Sequence, residues 1–379
     1  MRSTLTQGVV AIDPLGTDGL LWTSLLIMIG KVLLIFAISL VATMLMIWAE
    51  RKVVSGMHNR VGPNKAGPFG LLQSLADGIK AFFKETFRPR KSDPFIYKLA
   101  PYLMFVPAFL IWSVIPLGGD FTIGNDGTVT IFGQVTRVQL ADPPIGILLV
   151  LAMSSIAVYG VMLAGWSSGS KYPLLGSVRA SAQMISYEAA LGLSLATVIL
   201  SAQTLSTNGI VVAQGSLADW HVVSTGFVPF VIFLIAVTAE LNRPPFDLVE
   251  AEQELVSGFN TEYSSLRFAL FFLAEFMNVI TMSAVIVTLF FGGPQPLFDL
   301  DILPGGLAGT VWFVVKLLAF LYLFVWLRAT LPRLRYDQLM DLGWKLMIPL
   351  ALGWFLLLAA LREFSPEGDA VDSVRVVVI

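Results

Sequence analysis

The segment AELNRPPFDLVEAEQELVSGFNTEYSS, Ala239 to Ser265, leaves an apolar run at Glu240, breaks at two prolines and then turns strongly acidic. Two further acids, Glu188 and Glu275, lie inside apolar stretches. An ionisable group is costly in a bilayer, so buried acids favour a site for protons or charge over a simple anchor. The acids of the segment beyond Glu240 are Asp247, Glu250, Glu252, Glu254 and Glu262.

The composition excludes a soluble globular protein. Of 379 residues, 56% are hydrophobic and only 13% are charged, and the mean hydropathy is +0.78. These values predict an integral membrane protein. The chain has no cysteine, and its two histidines, His58 and His221, lie outside the apolar runs. We therefore expect no iron–sulfur cluster, no haem held by paired histidines and no metal site in this chain. The net charge of -2 predicts no nucleic-acid partner.

Eight apolar runs predict eight transmembrane helices, because about 20 residues cross a bilayer core of about 30 Å. Basic residues are very unevenly placed between the runs: ten lie in residues 51–98, whereas the loops on the opposite side contain only Arg137. By the positive-inside rule, residues 51–98 face the cytoplasm and both termini face outward. The predicted spans are about 22–48, 99–117, 144–165, 182–202, 225–241, 268–292, 308–328 and 345–361.

Two smaller elements are predicted between the spans. Apolar residues from Leu71 to Phe83 recur at helical spacing, which indicates an amphipathic helix lying in the membrane interface. On the outer side, residues 121–140 alternate around Gly124-Asn125-Asp126-Gly127, which predicts a short β-hairpin. The predicted fold is an all-α integral membrane protein, one membrane domain over 1–379. Its first cytoplasmic loop is 51–98 and its acidic cytoplasmic loop is 242–267.

The predicted orientation places the acids of the spans in the inner half of the membrane. A chain that carried protons across alone would need titratable groups at every depth, so this array favours sideways transfer to a neighbouring protein. Burial and mutual repulsion of carboxylates suit reversible protonation. Two alternatives stay open: Glu50 and Glu240 could reach water from helix ends, and Glu250, Glu252 and Glu254 could form a solvated face.

Long segments resemble the quinone-site membrane subunit family of respiratory complex I, the proton-translocating NADH:quinone oxidoreductase. The two longest are ERKVVSGMHNRVGPNKAGPFGLLQSLADGIKAFFKE, Glu50 to Glu85, and the segment from Ala239 to Ser265. His58 departs from the pattern, because the family is expected to have Gln there. Three shorter segments also fit: Gly165 to Glu188, Leu266 to Phe276 and Arg328 to Met340.

The resemblance implies two groups of functional residues and no catalytic residue in this chain. The implied quinone channel consists of Glu50, Arg51, Asp77, Lys80, Arg243, Phe246, Asp247, Arg328 and Arg333. The implied proton-coupling residues are Glu188, Glu240, Glu250, Glu252, Glu254 and Glu275.

The resemblance also implies a setting. Quinone is the expected substrate, and the chain acts within a translocase, with iron–sulfur clusters and flavin in partner subunits. Expected partners are hydrophilic quinone-module subunits, small and antiporter-like membrane subunits, and lipid. The expected location is the bacterial plasma (inner) membrane, favoured over an organellar inner membrane. Competing hypotheses are a membrane subunit of an energy-converting hydrogenase or another non-NADH dehydrogenase, a stand-alone cation/proton antiporter, and a structural anchor.

Overall fold

The computed structural model describes residues 15, 22–121, 126–248, 256–297 and 305–364. The first helix, α1 (Trp22–Met57), is a continuous apolar run without proline. It extends nine residues past the end predicted at 48, because backbone hydrogen bonding continues where the side chains become charged. Most of its side chains are exposed in the isolated chain, so α1 lies at the edge of the bundle.

The amphipathic helix is present as α2 (Gln73–Phe83). Its apolar side chains Leu75, Ile79, Phe82 and Phe83 are exposed in the isolated chain. An exposed apolar stripe on a short helix is the arrangement expected of an element that lies in the membrane interface.

Three long helices pack side by side: α3 (Pro94–Ile111), α4 (Gly146–Ser167) and α5 (Lys171–Ala202). A Cβ on Gly160 of α4 would lie 2.9 Å from the backbone nitrogen of Met104, so a glycine permits this close approach of α3 and α4. The α5 helix begins eleven residues before the predicted start at 182. Its first three turns contain serine, glycine and arginine, which lower the hydropathy without breaking the helix.

The next helices connect the outer loops to the bundle centre. They are α6 (Thr207–Val212), α7 (His221–Ser224), α8 (Phe227–Glu240) and α9 (Ser265–Phe290). The α9 helix is the most buried of the long helices and packs against α1, α3 and α10. The chain ends its described part with α10 (Gly305–Thr330), α11 (Tyr336–Asp341), a π-helical segment (Leu342–Met347) and α12 (Ile348–Phe364).

The predicted all-α membrane fold is confirmed. Within the described ranges, seven helices are long and apolar enough to cross a membrane. The eighth predicted span corresponds to α8, which has 14 residues and is about 21 Å long at 1.5 Å per residue. It is shorter than the predicted 225–241 because Gly226 separates it from α7.

The predicted β-hairpin is confirmed, and an antiparallel bridge between Asp120 and Thr128 also flanks the segment around which it was predicted. Strands β1 (Thr128–Ile131) and β2 (Gln134–Arg137) are antiparallel. They are joined at Phe132 and Gly133, with φ of 52° and 79°. Positive φ at both central residues is the type I′ geometry that matches the strand twist. Residues 122–125, around which the turn was expected, lie outside the described residues.

Candidate functional site

A buried ion cluster lies where four helices end. Glu50 is 6% exposed and Arg243 is 3% exposed. Arg243 Nη1 donates to both carboxylate oxygens of Glu50, at 3.0 and 2.9 Å, and Nη2 lies 3.5 Å from Glu275 Oε1. Arg328 also donates to Glu50 Oε1. We call Glu50, Arg243, Glu275 and Arg328 the Glu50 cluster.

Each member of the Glu50 cluster comes from a different part of the chain. Glu50 lies near the end of α1, Glu275 in the third turn of α9 and Arg328 near the end of α10, while Arg243 follows α8. The Arg243 guanidinium also lies 4.7 Å from the ring centre of Phe276, a cation–π contact. A buried charge must be paired, so this cluster holds the four elements together at one end of the bundle.

The turn after α8 is held by contacts on two sides. Asp247 is 8% exposed, and its Oδ2 accepts a hydrogen bond from Arg333 Nη2 at 3.0 Å. The backbone nitrogen of Leu334 donates to Pro245 O at 2.9 Å. The Phe246 ring packs against Tyr187 with centres 5.2 Å apart. The turn is therefore tied both to α5 and to the connection between α10 and α11.

A more exposed ion pair joins α1 to α2. Arg51 Nη1 donates to Asp77 Oδ2 at 2.7 Å, and both side chains are 43% exposed. Gln73 donates to the other oxygen of Asp77 at 3.0 Å. Lys80 is exposed on the same helix, and the contacts described for this part of the chain include no ion pair for it. Charged groups and the apolar stripe of α2 therefore lie side by side.

Two acids meet between α4, α5 and α8. Ser155 Oγ donates to Glu188 Oε1. Glu240 is within electrostatic reach of Glu188 and next to Ser154, and Glu240 Oε2 is buried. A cavity of about 20 Å³ beside Glu240 is lined by Glu240, Ser154, Asn278, Met184 and apolar side chains. That volume accommodates about one water molecule, so a proton donor or acceptor could be placed next to Glu240.

The far end of the acidic loop is anchored by aromatic side chains. The rings of Tyr97 and Tyr263 stack with centres 4.2 Å apart, and Tyr97 OH donates to Glu262 O at 2.6 Å. Burial raises the pKa of Tyr263 above its usual value, so its phenol stays protonated. The single hydroxyl hydrogen of Ser265 has two carbonyl acceptors within reach, Lys84 O at 2.7 Å and Ala81 O at 3.0 Å, which fixes the start of α9 to the end of α2.

Comparison with known proteins gives one consistent result. The family model described as NADH dehydrogenase matches residues 30–359. The NADH-quinone oxidoreductase H subunit of Frankia casuarinae is 52% identical over 342 residues, covering 89% of this chain and 73% of that protein. The H subunit of Frankia alni is 52% identical over 338 residues, covering 88% of this chain and 72% of that protein.

The chain belongs to the H-subunit family of NADH-quinone oxidoreductase. The resemblance inferred from the sequence is thereby confirmed. A member of the H-subunit family is a membrane subunit of an oxidoreductase complex, a translocase, and this favours that assignment over a hydrogenase subunit or a stand-alone antiporter. The matched range contains the whole Glu50 cluster, Glu188 and Glu240.

The structure places the predicted site residues of this H-subunit family member in distinct groups. Glu50, Arg243 and Arg328 meet, Asp247 pairs with Arg333, and Arg51 pairs with Asp77. Glu188 and Glu240 lie within electrostatic reach of each other, and Glu275 approaches Arg243. The predicted coupling residues Glu250, Glu252 and Glu254 lie outside the described residues.

Sequence reasoning missed two polar residues of α5. Gln183 is fully buried, and its Nε2 donates to Ala239 O, Asn242 Oδ1 and Phe246 O at 2.7, 3.1 and 2.9 Å. Tyr187, also fully buried, donates to Leu339 O at 2.8 Å. The four-residue spacing, which places both on one face of a helix, was the available signal. Among the described residues, no group of three acidic or histidine side chains could hold a metal ion.

Proposed function

We propose that this chain forms the entry and tail channel for quinone and the floor of its chamber. We further propose that it couples quinone reduction to proton translocation through buried carboxylates. The observation that carries this proposal is the position of Arg243 between Glu50 and Glu275, at 2.9 and 3.5 Å. One guanidinium shared by two acids from different helices can respond to a change of charge at either of them.

The channel part of the proposal is supported by the arrangement at the ends of α1 and α2. A quinone needs an apolar passage for its tail and a few polar groups near its head. The exposed stripe of α2, from Leu75 to Phe83, supplies apolar surface, and Arg51, Asp77 and Lys80 are the polar groups beside it. Further polar and aromatic groups toward the head would be Arg243, Phe246, Asp247, Arg328 and Arg333.

The coupling part follows from the chemistry of the substrate. Reduction of a quinone to a quinol takes up electrons and protons and so changes the charge near the chamber. In our proposal the electrons come from an iron–sulfur cluster of a partner subunit. If Glu50 becomes protonated, Arg243 loses part of its attraction to Glu50 and is drawn more strongly to Glu275. Such a shift would alter the field at Glu188 and Glu240, which would pass the change to partner subunits.

The assembly belongs to the same proposal. The hydrophilic quinone-module subunits would cover the loops 51–98 and 242–267, and the small and antiporter-like subunits would lie beside the bundle in the membrane. The chain would sit in a bacterial plasma membrane with both termini outside. Flavin and iron–sulfur clusters would be carried by partners.

The experiment replaces one acid at a time in membranes of the native host. Glu188→Gln, Glu240→Gln and Glu275→Gln keep the shape of the side chain and remove its ability to ionise. We expect each to impair quinone-dependent NADH oxidation together with the proton gradient, while the complex remains assembled. Asp341→Asn is the control, because its pair with Lys345 is exposed. Normal oxidation and pumping in all three glutamine variants would refute the proposal.

A further inference from the structure

Gln183 is the only described side chain that hydrogen-bonds to both ends of the turn after α8. Its Nε2 lies 2.7 Å from Ala239 O, at the end of the helix, and 2.9 Å from Phe246 O, at the end of the turn. The same nitrogen lies 3.1 Å from Oδ1 of Asn242, a residue between Ala239 and Phe246 in the sequence. The residue is fully buried, so water cannot replace these bonds.

The amide of Gln183 cannot satisfy all of the hydrogen-bonding groups at this site. An amide nitrogen has two N–H groups, and here they serve three acceptors. The opposite orientation of the amide would turn its oxygen toward two carbonyl oxygens, so the hydrogen-bond network fixes the assignment. The Gln183 Oε1 atom has no hydrogen-bond partner among the described residues. Holding the turn therefore leaves a polar atom buried and unsatisfied, a cost that an apolar residue would avoid.

The turn held by Gln183 carries the charged groups of the candidate site. Arg243 extends from it to Glu50 and Glu275, and Asp247 extends to Arg333. A displacement of the turn caused by a change of charge at these residues must either break the bonds to Gln183 or move Gln183 with it.

The α5 helix, which contains Gln183, also contains the acid Glu188. Tyr187, one turn beyond Gln183, packs on Phe246 and donates to Leu339 O. Glu188 follows and accepts from Ser155 of α4. Gln183 and Glu188 are separated by about 7.5 Å along one uninterrupted helix, so backbone hydrogen bonds of α5 join the two positions directly.

We propose that Gln183 is a positioning residue that transmits displacement of the turn, Ala239–Asp247, to Glu188 through α5. The inference rests on the proposed function and adds a mechanical route, which does not require proton transfer along the acidic loop. Gln183 fixes where Arg243 lies relative to Glu50, and the position of α5 sets the contact between Glu188 and Ser155.

The chain offers a matched control for testing this route. Gln139 is 2% exposed, and its Nε2 donates to Val114 O and Thr207 Oγ1, both at 2.8 Å. Its Oε1 is also unsatisfied within the described part of the chain. It differs from Gln183 in position, because it lies beside the β-hairpin at the other end of the bundle.

The experiment compares Gln183→Met with Gln139→Met in the assembled complex, in sealed native membranes. NADH oxidation is measured with an uncoupler present, and protons translocated per NADH are measured without it. For Gln183→Met we expect uncoupled oxidation to change little and the protons translocated per NADH to fall about tenfold, because the turn loses its bonds to α5. Gln139→Met should leave the protons per NADH unchanged.

Two results would overturn the inference. One is an unchanged ratio of protons to NADH in assembled Gln183→Met, and the other is an equal fall in both methionine variants, which would indicate general loosening. If Gln183→Met fails to assemble, Gln183→Asn, which keeps the amide but shortens its reach, provides the same comparison.

Glu188→Gln, measured in parallel, separates this inference from the proposed function. Normal pumping by Glu188→Gln, Glu240→Gln and Glu275→Gln would refute the proposed function itself. Impaired pumping in Glu188→Gln with normal pumping in Gln183→Met would refute only the role of Gln183. If the route exists, the double variant that combines Gln183→Met with Glu188→Gln should pump no less than the more impaired of the two single variants. Both changes would then interrupt one pathway.

Discussion

Arg243 and Glu50 are 193 positions apart in the sequence, and each supplies the opposite charge that allows the other to be buried. Resemblance to a family was enough to nominate both as site residues. Their pairing could not be predicted, because it depends on how the end of α1 meets the turn after α8. The same limit applies to Gln183, whose role appears only when its three acceptors are in place.

The first prediction concerns the energetic value of buried and exposed ion pairs. Arg243→Met leaves Glu50 with only Arg328 and removes the neighbouring cation of Glu275. Removing one partner of a buried pair costs about 3–5 kcal/mol, so we expect a clear loss of thermal stability or of subunit assembly. The measurement is thermal unfolding of the detergent-solubilised complex, followed by the fraction that remains assembled.

Arg51→Met is the control for this measurement. The pair of Arg51 with Asp77 is 43% exposed on both sides, and exposed pairs contribute about 0–1 kcal/mol. A loss of stability as large in Arg51→Met as in Arg243→Met would contradict the interpretation.

At the scale of single elements, the apolar runs of the sequence predicted where every long helix lies. They did not predict the residues at which each helix begins and ends. The predicted start of α5 and the predicted end of α1 were wrong by about two to three turns. Hydropathy reports which residues avoid water, whereas helix ends depend on backbone hydrogen bonding and caps. Asp93 illustrates the second factor: its Oδ1 accepts from the backbone nitrogens of Phe95 and Ile96 and so begins α3. The turn at Phe132 and Gly133 was not predicted, because Phe132 is not a typical turn residue.

The second prediction uses two glycines with open space around them. Gly133 has φ of +79°, whereas Gly30 lies within α1, and a Cβ at either position meets no atom within 4 Å. Gly133→Ala should destabilise the hairpin by about 1–2 kcal/mol, since an L-residue is strained at positive φ. Gly30→Ala should stabilise α1 by up to about 1 kcal/mol. Thermal unfolding of the two variants should shift in opposite directions, and shifts of the same sign would contradict the backbone argument.

At the scale of the whole molecule, the two ends of the bundle are built from different interactions. The end with the Glu50 cluster is held by ion pairs. The end with the hairpin is held by the ion pair of Arg137 with Asp142, by neutral side chains and by Lys316, which is 6% exposed. Lys316 Nζ donates to the carbonyls of Phe291, Gly293 and Gln295 at 2.8, 2.9 and 2.7 Å. Composition predicted a membrane protein but could not predict this difference, which depends on loop positions.

The third prediction is a pH dependence of overall stability that originates at His221. Its side chain is buried beside Ser224, and burial lowers the pKa of His221 from 6.5 to about 4. Between these values the unfolded chain binds more protons than the folded one, so stability falls as the pH falls from 6.5 toward 4. The loss amounts to roughly 3 kcal/mol at the acidic limit.

The measurement is the free energy of unfolding of the wild type and His221→Gln as a function of pH. Burial raises the pKa of Asp142, which contributes in the opposite sense, but this contribution is common to both proteins and cancels in the difference. We expect the variant to lose less stability than the wild type between pH 6.5 and 4. Parallel curves would show that His221 does not titrate in this way.

The three carbonyls around Lys316 fix the charge of that residue. A neutral amine has two N–H groups, so its lone pair would face one of the three oxygens, and only an ammonium can donate to all of them. Its aromatic neighbour is the Trp220 ring, 4.6 Å away, and no acid of the described residues forms an ion pair with it. The charge of Lys316 is therefore balanced by backbone carbonyl dipoles, whereas the arginines of the Glu50 cluster are balanced by carboxylates. A change of protonation can alter the partners of the arginines in the Glu50 cluster, whereas the carbonyls that hold Lys316 do not titrate.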